Sequence, residues 1–265
     1  MKRNVASVLL LAITLPALAV VGGRLSSNAD EPAVAWKQTR ALPAAEAHQA
    51  AAADAKSIYA ISSEKVARYD RETGERIAVS TGEAKHLNSG FFHEGLLYLA
   101  HSNYPRVPEQ SEIRVLDPAR MELKIYKDFG NFGGSLTWAV RKEGDAAWWC
   151  NFAHYGGKND RTFLIRFDEA WKEQGRWTYP ADVIRHIGMA SISGGVWQKD
   201  ELLVTDHDHR VLYRLRIPRE SKVLDFIRRE GAPFTGQGIA LDPATGGLVG
   251  IDRAKKQILF AEPAR

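Results

Sequence analysis

Apolar and polar positions follow one another in a unit that recurs along this chain. The unit is an apolar strand, a tight polar turn, a second apolar strand ending in polar residues, and a third strand leading to another turn. The first turns centre on Asp54, Glu94, Gly144, Asp200 and Gly246, spaced by 40, 50, 56 and 46 residues. Propeller blades recur at roughly 40–50 residues. The strands after these turns are short and rich in β-formers: Ser57 to Ile61, Leu96 to Ala100, Ala146 to Asn151, Leu202 to Thr205 and Leu248 to Ile251. Third strands follow at Val66 to Tyr69, Glu112 to Leu116, Thr162 to Phe167, Val211 to Arg216 and Gln257 to Ala261.

Turn chemistry supports this phasing. Tyr69-Asp70-Arg71-Glu72-Thr73-Gly74 opens on an Asp and closes on a Gly suited to positive φ. Asp117-Pro118, Phe167-Asp168 and Asp242-Pro243-Ala244-Thr245-Gly246 use related chemistry. The fifth unit shows only three strands up to Arg265, whereas a blade needs four and an open ring leaves unpaired edges. The segment Ala33 to Leu42 precedes the first unit and reads as a strand without a blade. The expected fold is therefore all-β: a five-bladed β-propeller whose ring is closed by an N-terminal strand completing the last blade. The Ala-rich stretch Ala44 to Ala55 favours helix by propensity, yet repeat alignment makes it the innermost strand of blade one. The connection 182–188 is longer than its counterparts and is a candidate cover for a pocket.

At 45% hydrophobic residues the 265-residue chain can bury one sizeable core. Its net charge of +4 is scattered, without a basic run or a nucleic-acid motif, so no nucleic-acid partner is expected. Lys2 and Arg3 precede an apolar run from Val5 to Val21, which reads as a signal peptide within residues 1–29, cleaved after Ala19 or Ala29. This predicts an exported, periplasmic or secreted protein with one propeller domain over residues 30–265. An uncleaved N-terminal membrane anchor is the competing reading. A single cysteine, Cys150, rules out an intrachain disulfide, and its apolar surroundings read as a buried inert thiol.

Blade topology sorts the eight histidines by face. Loops leading into innermost strands share a face with loops leaving second strands. His48, His86, His101, His154, His186, His207 and His209 fall on that face, and His93 alone falls opposite. The loops also carry Asn151, Asp206, Asp208 and Gln237. Neutral imidazole is a common ligand of transition metals, so converging histidines predict a divalent metal such as zinc or manganese. The expected ligands are His86, His154 and His207, with Gln237 in a supporting place, while Asp206 and Asp208 orient imidazoles. His101, Tyr104, Tyr155 and Arg210 are the expected catalytic groups, the tyrosines for proton transfer and the arginine for an anionic substrate. The plainer reading is a water-filled funnel whose histidines only bond to neighbouring loops. Ser89, Ser102 and Ser191 lack a nucleophile elbow, and Gly133-Gly134 and Gly194-Gly195 fit tight chain packing better than a phosphate loop.

Tyr69 to Gly74 and Asp242 to Gly246 resemble turns of the secreted YVTN and quinoprotein-like repeat families. The tryptophan docking of true quinoprotein repeats is absent, so no quinone is implied. Asn88 to Phe92, Ala100-His101-Ser102-Asn103-Tyr104-Pro105, Thr205 to Asp208 and Pro233 to Ala240 are similar to bacterial exported propellers loosely labelled cycloisomerases. Five blades and Gln237-Gly238 also resemble the glutaminyl cyclotransferase propellers. These resemblances imply a propeller and leave two functions open. One is a metal-assisted lyase, isomerase or cyclase acting on a small polar molecule, carbohydrate-like or acidic. The other is a non-catalytic propeller that binds a ligand or protein on the same face.

Overall fold

A computed structural model describes residues 35–264, so the signal segment expected over residues 1–29 lies outside the described residues. The first described strand, β1 (Trp36–Pro43), belongs to the last blade. Blade one contains β2 (Ala50–Ala53), β3 (Ser57–Ile61), β4 (Val66–Asp70) and β5 (Arg76–Val79). Blade two contains β6 (His86–His93), β7 (Leu96–Ser102), β8 (Ser111–Asp117) and β9 (Glu122–Gly130). Blade three contains β10 (Ser135–Arg141), β11 (Trp148–Ala153), β12 (Phe163–Phe167) and β13 (Glu173–Thr178). Blade four contains β14 (Gly194–Gln198), β15 (Glu201–Thr205), β16 (Val211–Arg216) and β17 (Asp225–Gly231). Blade five contains β18 (Ala240–Leu241), β19 (Leu248–Asp252) and β20 (Gln257–Pro263), completed by β1 in antiparallel register from Trp36 opposite Pro263 to Pro43 opposite Gln257.

Contacts between the innermost strands run β2 to β6 to β10 to β14 to β18 and back to β2, which closes the ring. This is the five-bladed β-propeller expected from the repeat, including its closing strand. The outer strands β5, β9, β13 and β17 are largely exposed, whereas most inner and second strands are buried along their length. Apolar clusters fill the spaces between neighbouring blades. One joins blades two and three through Tyr98, Ile113, Trp148, Phe152 and Ile165. Another joins blades four and five through Val196, Leu203, Leu212, Phe234 and Leu259, with Trp36 of β1.

Helix propensity loses at the start of blade one. The helix-prone residues of Ala44 to Ala55 form a turn held by the Ala47 N–H to Ala44 carbonyl bond, and then β2. Four fully buried alanines suit the crowded axis, where a side chain on Gly238 would come within 2.6 Å of Ala50 Cβ. Gly194 and Gly195 serve the same close approach, against the Gln237 carbonyl and the Trp138 ring. The connection 182–188 lies in a short helix, α1 (Ala181–Ile187), which turns Val183 and Ile187 onto Trp138, Tyr179 and Tyr213 between blades three and four. No helix among the described residues is long and apolar enough to cross a membrane.

Candidate functional site

Antiparallel pairing puts the starts of innermost strands and the ends of second strands at one end of the ring. All seven expected histidines lie in those segments, but their rings separate into distinct groups rather than one constellation.

The first group stands on the segments leaving blades four and five and leading into blade one. Arg253 follows β19, and its backbone N–H donates to Thr235 Oγ1 at 3.0 Å while that hydroxyl donates to the Ile251 carbonyl. With the backbone pinned, the guanidinium reaches His207 Nε2 through Nη1 and His48 Nε2 through Nη2, both at 3.1 Å. The bonding that satisfies these contacts leaves the Nδ1 proton of His207 for Asp208 Oδ1, 2.6 Å away. Burial, Arg253 and Lys256 lower the His48 pKa, which keeps that imidazole neutral. His86, at the start of β6, is pushed down to about 4 by burial first, with smaller electrostatic contributions from its neighbours His101, Arg253, His48 and His207. Its ring packs at 5.2 Å on Tyr104, which packs at 5.1 Å on Tyr155.

The second group lies between α1 and blade four. Asp206 is fully buried, and both of its oxygens are engaged. Oδ1 accepts the backbone N–H groups of Asp208 and His209, and Oδ2 accepts from His209 Nδ1 at 2.5 Å and from the Tyr213 hydroxyl at 2.9 Å. His186 Nδ1 lies 2.5 Å from that hydroxyl, and the His186 and His209 rings are 4.8 Å apart. Burial and Asp206 raise the Tyr213 pKa, so the phenol stays protonated as a donor. The turn nucleated by Asp206 explains why His207 and His209, only two residues apart, point to different neighbours.

These contacts gather a set other than the expected one. Among the described residues, one set of three His, Cys, Asp or Glu ligand atoms lies within 4.8 Å of one another: His186, Asp206 and His209. His86, His154 and His207 form no such set. His207 is spoken for by Asp208 and Arg253, and His154 lies against the Phe163 ring at 6.3 Å. Gln237 turns its backbone carbonyl to Thr205 Oγ1, while its buried side-chain amide nitrogen has no partner among the described residues. Asp206, expected to orient imidazoles, does hold the His209 ring through Nδ1 and is itself a member of the set.

The expected catalytic residues also separate. His101 is buried at 4% exposure, with Nε2 accepting the Lys85 backbone N–H at 2.9 Å and Nδ1 3.2 Å from Glu112 Oε2, so it holds neighbouring strands. Arg210 is paired with Asp252 Oδ2 at 3.2 Å and donates to the Pro233 carbonyl. Tyr104 and Tyr155 do line the His86 side of the face, and burial raises the Tyr155 pKa. In the sequence, Arg253 stands with Arg106, Arg161 and Arg210 after second strands as a possible binder of a carboxylate or phosphate, whereas His48 and His186 serve only to define the face. The signals present were the long connection carrying His186 and the run Asp206-His207-Asp208-His209.

A cavity of about 820 Å³ opens at the opposite end, among the turns joining first to second strands, with Phe92, His93, Val140, Trp197 and Leu241 in its wall. Four of its charged residues are paired, Arg141 with Glu169, Lys142 with Asp200, Asp145 with Arg166 and Asp242 with Arg71, and Glu143 and Lys199 also line it.

No protein-family model matches this chain, and no curated protein does. Among solved structures it is similar to the crystal structure of Myxococcus xanthus glutaminyl cyclase, with a TM-score of 0.57 and 9% identity over 88% of this chain and 98% of that one. It also aligns with a chain of a mitotic checkpoint complex at a TM-score of 0.46 and 10% identity, covering 96% and 98%. The first likeness establishes the propeller fold.

Proposed function

We propose that this chain is an enzyme that moves a proton on a small polar molecule at its His-rich face, by lyase, isomerase or cyclase chemistry, with a divalent metal such as zinc or manganese as cofactor. The observation that carries this reading is the convergence of His186, Asp206 and His209 within 4.8 Å. Two imidazoles and one carboxylate are a donor set that suits zinc and related ions and leaves a coordination position for substrate. When bound, such an ion supplies Lewis-acid polarisation of a substrate oxygen. Tyr213 would orient the ligand set, since its hydroxyl contacts both Asp206 and His186.

A second, metal-free reading is favoured by one specific observation. Asp206 is already satisfied by four hydrogen bonds and holds His209 through Nδ1, which is how a buried carboxylate orients a general base. Metal analysis of the purified chain separates the two. A stoichiometric metal in the parent, lost in His186→Ala and in His209→Ala but kept in His154→Ala, supports the metalloenzyme. A parent without metal after growth in zinc- and manganese-supplemented medium overturns it in favour of the Asp206–His209 pair.

Export belongs to this proposal on the strength of the Val5 to Val21 segment alone. The likeness to glutaminyl cyclase, at 9% identity, supports the scaffold and leaves cyclase chemistry as one of three reaction types.

A further inference from the structure

We propose that Arg253, framed by His48 and His207, is a recognition site for a carboxylate group, so that molecules handled at this face are small carboxylic acids. Arg253 is distinguished by the two imidazoles that its guanidinium meets. Among the described residues, Arg71, Arg114, Arg166, Arg210 and Arg214 all pair with carboxylates. Arg253 has no carboxylate partner there, and its two Nη atoms meet imidazole nitrogens instead. A guanidinium held by two neutral acceptors keeps its full charge, and its remaining N–H bonds stay available for a bidentate acceptor.

The surroundings fit a negatively charged group. His48 and His86 are kept neutral, and the nearest acidic side chain in the group, Asp208, is turned to the Nδ1 side of His207. Asp252, next in sequence, is paired with Arg210 and Lys255. The site thus offers a guanidinium in a rigid frame, with Lys256 acting on His48 beside it, and the planar fork matches the two-oxygen geometry of a carboxylate. Four blades build it: His48 leads into blade one, His86 into blade two, His207 leaves blade four and Arg253 leaves blade five. This inference does not rest on the metal reading, because no residue of the set His186, Asp206 and His209 belongs to it.

The test is titration of the intact purified protein with acetate, followed through the histidine side-chain signals in ¹H–¹⁵N spectra, with sodium chloride as the ionic-strength control. The expected result is a saturable shift of the His48 and His207 signals. Arg253→Met should weaken acetate binding by about tenfold or more, the range for loss of a charged hydrogen bond, and Arg253→Lys should fall between. A thermal melt of each variant reports folding, and Arg253→Lys keeps the test decisive if Arg253→Met unfolds. Absence of a saturable shift in the parent overturns the proposal. So does acetate binding that survives Arg253→Met and disappears in His209→Ala, since that pattern assigns the carboxylate to a metal at the other group.

Discussion

Arg71 shows how a single side chain ties two blades together. It leaves the β4–β5 turn and bonds both oxygens of Asp242, in the β18–β19 turn, at 2.6 and 3.2 Å, while Nη2 also donates to the Asp54 carbonyl. Both partners are buried, so truncating the arginine strands a carboxylate away from water. Arg71→Met should lower unfolding free energy by about 3–5 kcal/mol in urea titration. Removing the charge on both sides, with Arg71→Met and Asp242→Asn together, should cost measurably less than the single change. At this scale the sequence identified residue types and their face, but not their partners. Arg210 and Arg253 occupy similar positions after second strands, yet one is neutralised by Asp252 and the other faces imidazoles. Likewise His207 and His209 look equivalent in Asp206-His207-Asp208-His209 until the Asp206 turn separates them. Such distinctions depend on side chains that approach from other blades, and no local pattern encodes them.

Among elements, β1 carries the greatest consequence because it pairs with β20 along its length. Its Trp36 Nε1 also donates to Glu230 Oε2 of blade four at 2.8 Å, in a buried site shared with Arg214. Trp36→Phe keeps the apolar ring and loses that bond, which should cost about 1–3 kcal/mol by denaturant titration. Deleting residues 35–43 should go further, replacing one cooperative melt by aggregation as the β20 edge is exposed. The strand was legible in the sequence because counting blades left one strand too few at one end and one too many at the other. Blade one's inner strand was harder to read, since alanine propensity points to helix. The crowded axis decided it, where small side chains let five inner strands approach.

For the whole molecule, acid should act in two stages. His86 sits at about 4 in the fold against an ordinary 6.5, so over that interval the unfolded chain binds more protons than the folded one. Its contribution is complete above pH 6.5 and declines as pH falls toward 4, with His48 adding in the same direction. Below that range the carboxylates take over. The contact with His101 lowers Glu112 and the Arg166 hydrogen bonds lower Asp145, so their stabilisation, present above the ordinary carboxylate range, is lost on further acidification. Melting temperature measured against pH should therefore begin to drop below pH 6.5 and steepen below about 4. His86→Phe should flatten only the first part.

The last blade is stitched from both extremities of the described chain, and the Ala264 N–H donates to the Ala35 carbonyl at 2.8 Å. The fold has therefore no privileged starting point: its linear order is one of several ways to cut a circle. A circular permutant that links position 264 to position 35 through a short spacer and opens at the exposed turn 118–120 should reassemble the same ring. Its circular dichroism and melting temperature, compared with those of the parent over residues 35–264, would measure how little the folded state depends on where the polypeptide is severed.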